Sequence, residues 1–356
     1  MSLSNAYAII MAGGNGERFW PLSTAAKPKQ FLDLFGGKPL IRHAVDRLEG
    51  LIPPERIFVI TADRFVDLTR AALPMLPTEN ILGEPCRRDT AAAVATACGL
   101  VLQKGGPKAV GCILTADQLI TPVPAFQRTL ADSIAVAAAS DAIVTMGIIP
   151  TRADTGFGYI ECGTPYQGQE TATVFRQVRR FVEKPNKQKA EEYLSQGGFL
   201  WNARMFIWKA ETMRKAYYAS ASDIAALIDA IAAAPEIKSE INRLYPFVRA
   251  ISVDFAVMEH AKNILVAESR FTWDDVGSWT AVEHHFPQDG DNNTVVGEAA
   301  LQNAASNVIV NTAADGHTLA VAGLTDVVVV HTPHATLVCS KAELPQLKQL
   351  VTGLQG

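Results

Sequence analysis

The chain is poor in cysteine, in histidine and in any surplus of charge. Its five cysteines, Cys86, Cys98, Cys112, Cys162 and Cys339, are widely spaced and make no Cys-x-x-Cys pair. That excludes a zinc or redox motif of recognisable spacing and points to reduced thiols in a cytosolic protein. A net charge of −4 with 32 basic residues excludes a nucleic-acid-coating surface, so any affinity for phosphate has to be local. No run reaches the roughly 20 apolar residues of a membrane helix, and no basic segment followed by a long apolar core opens the chain. A soluble, cytoplasmic protein without a membrane partner is expected. There is no convincing Ser-His-Asp or Cys-His arrangement. The Gly-Lys-Ser/Thr of a P-loop and the third glycine of a dinucleotide fingerprint are also missing.

What is present is organised around residues 13–29, GGNGERFWPLSTAAKPK, directly after the apolar run 8–12, AIIMA. A β-type run that breaks into Gly13, Gly14 and Gly16 and then into a basic loop describes a strand end that cradles phosphates. Without Cβ atoms the backbone brings several N–H groups close to one anion. Arg18 and Lys29 add full positive charge, and Pro21 and Pro28 stiffen the connection. A glycine turn alone also fits an ordinary strand-to-helix turn; the arginine and the Pro-Lys are what set this one apart.

The chain is long enough for one large domain and a small one. Leu40, Ala44, Leu48 and Leu51 share helical spacing, and residues 57–61 form a compact β run, which together with residues 8–12 predicts a βαβ unit with parallel strands. A further helix is expected over about residues 64–73. Residues 80–90, NILGEPCRRDT, lead into an alanine-rich helix over 91–102. Asp89 or Thr90 would cap it, either as a plain capped helix or with its free N–H groups facing a ligand. The strand over 109–115 ends beside Asp117, where open α/β sheets bind ligands; a cap or turn role is equally compatible.

Strands are also expected over 143–149, 178–182 and 264–267. Gly156 and Gly158 shape a loop after the first of these. Glu183 and Lys184 follow the second, as a carboxylate–ammonium pair able to hold a sugar hydroxyl and a phosphate oxygen, or as a solvated ion pair. Residues 210–247 read as helical, with Ile224, Leu227, Ile228 and Ile231 on one buried stripe. Asp274 and Asp275 lie between Trp273 and Trp279, a setting that favours a divalent cation. From Asn292 short β-branched runs recur at about ten-residue spacing, and residues 343–354 close as a helix. His331 and His334, three apart on a probable strand, point to unlike faces and make a poor metal pair.

Several of these stretches together resemble the sugar-1-phosphate nucleotidylyltransferases. Residues 13–29 match GGxGxRxxPLxxxxxPK, and Gln30-Phe31-Leu32 resembles the mannose-1-phosphate guanylyltransferase branch. Residues 84–93 resemble EPxxRNTAPA, with Asp89 for the usual Asn and Ala92 for Pro. Asp117-Gln118 resembles the metal motif DHxI, residues 155–160 TGYGYI, 181–185 FVEKP, 201–206 WNAGMF with Arg204 for Gly, 252–259 SIDYAVME and 273–279 WxDVGSW.

The resemblance implies an α/β fold: a Rossmann-like, mostly parallel mixed sheet flanked by helices in residues 1–291, and a small β module in 292–356 built as a stub of left-handed β-helix. It implies nucleotide contacts at Ala12, Gly13, Gly14, Gly16, Glu84, Arg88, Asp89 and Thr90, and sugar-phosphate contacts at Gly158, Glu183, Lys184 and Asn202. Mg²⁺ is expected on Asp117 and Asp275, with Arg18 and Lys29 as the catalytic cations, GTP and mannose 1-phosphate as partners, and a homodimer through the β module. The expected reaction forms GDP-mannose and pyrophosphate. A sugar 1-phosphate, with its second pKa near 6, needs no general base. Another sugar 1-phosphate or nucleotide, or a non-catalytic sugar-nucleotide-binding subunit, are the alternatives. Longer relatives add a His-rich isomerase barrel; the chain ends without one, so isomerase activity is not expected.

Overall fold

The computed structural model describes residues 3–14, 16–313 and 317–354. Asn15 of the glycine-rich signature and the outermost residues of the two expected domains, Met1, Ser2, Gln355 and Gly356, lie outside them.

Continuous apolar runs become strands covered on both faces. The strands are β1 (Ala6–Ala12), β2 (Ile57–Ala62), β3 (Ile81–Glu84), β4 (Val110–Thr115), β5 (Leu119–Thr121), β6 (Ile143–Ile148), β7 (Tyr159–Pro165), β8 (Phe175–Val182), β9 (Phe199–Lys209), β10 (Ile264–Ser269) and β11 (Thr272–Asp274). Nine of them form one sheet in the order β3-β2-β1-β4-β9-β6-β10-β8-β7. β1 lies parallel to β2 and β4, β2 to β3, and β6 to β10, while β9 runs against β4 and β6, and β8 against β10 and β7. Only β8 and β9 therefore oppose the other strands, which is the expected mostly parallel mixed sheet.

The chain divides into two compact units that do not follow chain order. The first comprises Met1–Gly13, Arg42–Ala116 and Ile120–Trp273, and it contains the nine-stranded sheet. Its helix Asp89–Gly105 packs on the helix Ser222–Ala233 so closely that a Cβ at Gly99 would lie 2.6 Å from Ile231 Cβ. Gly99 and the alanines of the alanine-rich helix leave the space for this approach. Ile224, Leu227, Ile228 and Ile231 are all buried in this core.

Two local expectations are corrected. The cap of the helix Asp89–Gly105 is Arg88, and it makes no side-chain cap bond. Thr90 Oγ1 instead accepts the Val253 N–H at 2.9 Å, and Asp89 Oδ1 accepts the Thr90 N–H at 2.7 Å, so both oxygens are drawn away from the cap position. The helix after residue 39 spans only Leu40–Asp46, and three-residue turns then carry the chain to Gly50 at φ +75°.

The second unit comprises Gly14–Ile41, Asp117–Leu119 and Asp274–Gly356. It carries β12 (Thr294–Val296), β13 (Ala299–Gln302), β14 (Val308–Asn311), β15 (Leu319–Ala322), β16 (Val327–His331) and β17 (Thr336–Ser340). β12, β14 and β16 stack in parallel register, as do β13 and β15, and β17 closes the stack antiparallel to β16. Successive turns are joined inside by buried asparagines. Asn307 Nδ2 donates to Asn293 Oδ1 at 3.0 Å, and Asn307 Oδ1 accepts the Val327 N–H at 3.0 Å. Pro345 keeps residues 341–346 in a 3-10 turn, so the closing helix begins at Leu347 rather than at residue 343. Val308, Val310, Val328 and Val330 from the stack share one core with Phe19, Leu32, Phe35 and Trp279.

Candidate functional site

The glycine-rich signature belongs mainly to the second unit, where Gly16 is at φ +64°. A Cβ added there would lie 2.3 Å from Lys29 Cβ and 2.5 Å from Lys29 N. Glycine is thus required both for the backbone conformation and for the approach of the lysine. Phe19, buried, anchors the turn through its N–H to Gly16 O at 3.1 Å; Arg18 beside it is exposed. Gly14 needs no such explanation, since a Cβ there meets nothing within 4 Å. The Trp279 ring lies 5.0 Å from that of Phe19, and its Nε1–H donates to Trp20 O at 3.0 Å.

Lys29 is 7 % exposed, and its ammonium reaches Asp117 Oδ2 at 2.9 Å and Asp275 O at 2.5 Å. The Asp117 carboxylate and the main-chain carbonyl of Asp275, far apart in sequence, thereby meet at one cation. Their hard oxygens suit a magnesium ion, which commonly takes one or two carboxylates and completes its shell with phosphate oxygens and water. Among the described residues no group of three or more His, Cys, Asp or Glu forms an all-protein metal cage.

Asp274, the neighbour the sequence set aside, is engaged elsewhere. Its Oδ2 meets His285 Nε2 at 3.1 Å and His284 Nδ1 at 3.2 Å, and its Oδ1 accepts the Val276 N–H at 2.7 Å. Burial pushes the Asp274 carboxyl up, but the hydrogen bonds from His285, Val276 and His284 outweigh it and hold the group down at about 2. Val276, between these acids and Gly277, is a β-branched residue at φ +47°. Such a conformation persists only where its surroundings enforce it.

In the first unit β1 ends at Ala12 and passes to Gly13, whose added Cβ would stand 3.7 Å from Glu84 Oε2 at the end of β3. Burial drives the Glu84 carboxyl up to about 7, against the lowering effect of the Tyr245 hydroxyl that donates to Oε1. Arg88 donates through Nε to Pro246 O at 3.1 Å. Asp89 sits at φ +59°, a conformation that short Asp and Asn side chains tolerate. The segment 245–253 therefore lies along the 84–91 element, with Ala91 N donating to Ile251 O at 3.1 Å.

A second cluster of this unit gathers Gly158, Glu183, Lys184 and Asn202. A Cβ at Gly158 would come within 3.2 Å of Glu183 Oε2. Lys184, at φ +34°, holds its ammonium 3.9 Å from Glu183 Oε1. Arg204, at φ +55°, brings Nη2 to 3.2 Å from the same oxygen. Asn202 Oδ1 accepts the Arg204 N–H at 2.9 Å, and its Nδ2 donates to Asp254 Oδ1 at 3.3 Å. Asp254 opens a π-helical turn, Asp254–Met258. Burial pushes its carboxyl up, opposed by the Arg204 charge and the Asn202 hydrogen bond. A left-handed non-glycine residue costs about 1–2 kcal/mol, whereas an exposed ion pair such as Arg204–Glu183 contributes roughly 0–1 kcal/mol.

Lys29, Asp117 and Asp275 come together in the second unit, and Gly158, Glu183, Lys184 and Asn202 in the first, whereas Arg18 is exposed beside the glycine turn and Gly14 stands open. Three more residues join these clusters without having been expected there. Tyr245 sits in a segment that reads as helical, where spacing marks it as ordinary, and Asp254 in a segment legible only through its match to SIDYAVME. Arg204 carried a signal, an arginine at a position where the matched motif has glycine.

The nucleotidyl transferase family matches residues 7–292, and the MannoseP isomerase/GMP-like beta-helix domain matches 303–354. A mannose-1-phosphate guanylyltransferase of Sinorhizobium fredii is 35% identical over 97% of this chain and 67% of its own length. One of Klebsiella pneumoniae is 33% identical over 98% of this chain and 73% of its own. Among solved structures, a protein described as mannose-1-phosphate geranyltransferase from Thermus thermophilus superposes with a TM-score of 0.87 at 31% identity, covering 99% of this chain and 100% of that one. The chain belongs to the nucleotidyl transferase family and, within it, to the group of the mannose-1-phosphate guanylyltransferases.

Proposed function

We propose that this chain transfers GMP from GTP to mannose 1-phosphate, releasing pyrophosphate and GDP-mannose. An oxygen of the sugar phosphate forms a bond to the α-phosphorus, and the bond from that phosphorus to the bridging β-phosphate oxygen breaks. The attacking group is already ionised at neutral pH, so positioning and charge neutralisation supply the catalysis. The observation that carries this reading is the convergence of Asp117 Oδ2 and the Asp275 main-chain oxygen on the Lys29 ammonium, at 2.9 and 2.5 Å, beside Gly16, where no side chain fits.

Lys29 stabilises the α-phosphate region and Arg18 the β- and γ-phosphates. Asp117 and Asp275 would hold Mg²⁺, which when bound neutralises phosphate charge and activates the α-phosphorus toward attack. Ala12, Gly13, Gly14 and Gly16 offer backbone to the nucleotide, and Glu84, Arg88, Asp89 and Thr90 face the base. Lys184 holds the sugar phosphate; Gly158 admits the sugar, while Glu183 and Asn202 select its hydroxyls. Residues 1–291 act as the catalytic part and 292–356 as the β module. β12 is the terminal strand of the stack β12-β14-β16, with Thr294 bridged antiparallel to Gln288 beside it, and a homodimer through this module would extend that edge. A cytoplasmic enzyme fits its substrates, a nucleoside triphosphate and a sugar phosphate.

The test is pyrophosphate release with Mg²⁺, crossing GTP, ATP, UTP and dTTP against mannose, glucose and heptose 1-phosphates. Release confined to GTP with mannose 1-phosphate is expected. Release with another pair only, or with none from folded protein, would overturn the assignment; a monomer mass at micromolar concentration would remove the dimer alone.

A further inference from the structure

Arg204 occupies an irregularity in the sheet. Opposite β6, Thr145 pairs with Phe206 and Gly147 with Asn202, so the intervening residue of β6 faces three residues of β9, with Arg204 in their middle. Bulges of this kind re-aim a side chain and recur beside active sites. Arg204 is also the one exposed residue of β9, where every other position is buried or half-buried. Its φ of +55° would suit glycine, and its N–H is tied to Asn202 Oδ1 at 2.9 Å. A strained backbone therefore holds an arginine out from the middle of a buried strand. The strain exceeds what the exposed pair with Glu183 returns, so stability alone does not account for the residue.

The guanidinium has five donors in a planar fork, a geometry suited to phosphate. Among the described residues it makes one hydrogen bond, from Nη2 to Glu183 Oε1 at 3.2 Å, and its side chain is 49% exposed. Lys184 Nζ stands 3.9 Å from the same Glu183 oxygen. Two cations thus share one carboxylate oxygen, each exposed enough to turn toward an anion without being desolvated first.

We infer that Arg204 is a second phosphate-binding cation for the sugar 1-phosphate, acting with Lys184. This rests on the function proposed above and adds to it a specificity-determining residue. Arg204 supplies paired donors to the phosphate oxygens while Lys184 contributes a point charge, and Glu183 is released toward the sugar hydroxyls as the anion takes over the guanidinium.

The test is Arg204→Gly in the full chain, with Arg204→Lys beside it. Glycine suits the backbone at this position, so the variant should melt at or above the wild-type temperature. Losing charge-assisted hydrogen bonds should raise KM for mannose 1-phosphate about 10- to 100-fold and leave KM for GTP within about twofold. Arg204→Lys should fall between the two. Calorimetric titration of nucleotide-free protein with mannose 1-phosphate should show the same loss of affinity. An unchanged KM and an unchanged affinity in folded Arg204→Gly would overturn the inference, as would an equal rise in KM for both substrates. Wild-type protein that binds mannose 1-phosphate through Arg204 without turning it over would sink the proposed reaction and keep the inference. Failure of the wild type to bind it would sink both.

Discussion

Lys29 Nζ lies 2.9 Å from Asp117 Oδ2, with the lysine nearly buried and the aspartate half exposed. The buried partner is thereby aimed while the exposed one keeps room for another ligand. Replacing Lys29 with Ala should lower the rate of pyrophosphate release by roughly 10²–10³-fold, the size of a preorganised electrostatic contribution. Near-normal turnover in a folded variant would remove Lys29 from the reaction.

Chelation offers an independent view of the same oxygens. Excess EDTA should abolish pyrophosphate release and added Mg²⁺ restore it, and Asp117→Asn should need more Mg²⁺ for half-maximal rate. A rate indifferent to chelator would dismiss the metal.

Gly16→Ala should fail in two ways at once. The new methyl would sit 2.3 Å from Lys29 Cβ, on a backbone held at φ +64°. Loss of stability by more than about 1 kcal/mol is expected, since alanine at positive φ is strained before any clash is added. Denaturant unfolding reads the first effect, and turnover at a temperature where the variant stays folded reads the displacement of Lys29.

Glu84 links the first unit to pH. Its carboxyl titrates at about 7 in the folded chain against an ordinary value of 4.5, because burial disfavours the charge. The folded state holds this proton more tightly than the unfolded state. The contribution of Glu84 is therefore fully present below the ordinary value and is lost as pH rises through the folded one. Glu84→Gln should abolish that slope, so the denaturation midpoint of the variant should gain on the wild type between about pH 5 and pH 7 and hold a constant lead above. Parallel midpoints across this window would refute the shifted proton.

How much of this was readable in advance follows from the range of each signal. The strands β1, β2, β4, β6 and β10 announced themselves as short apolar runs, because burial on both faces leaves no alternation to misread. Gly16 and Lys29 were legible through the chemistry of the turn and the fixed spacing to Pro28. The bulge around Arg204 was not, since register against β6 is a pairing property that neither strand carries alone. Tyr245 was hidden for a similar reason: its hydroxyl meets Glu84 from 161 residues away. The helix cap failed where tertiary bonds, Val253 N–H to Thr90 Oγ1 above all, competed successfully for a local oxygen.

The discontinuous second unit has a consequence for the order in which the protein is made. Trp20 accepts its hydrogen bond from Trp279, a residue 259 positions later. At roughly 5–20 residues per second, tens of seconds of synthesis separate the two. The stretch carrying Arg18 and Lys29 leaves the ribosome among the first residues and finds its packing partners among the last. Its cations and glycines thus wait unassembled while most of the chain emerges, and a nascent chain halted before Asp274 would carry the signature of the site without its geometry.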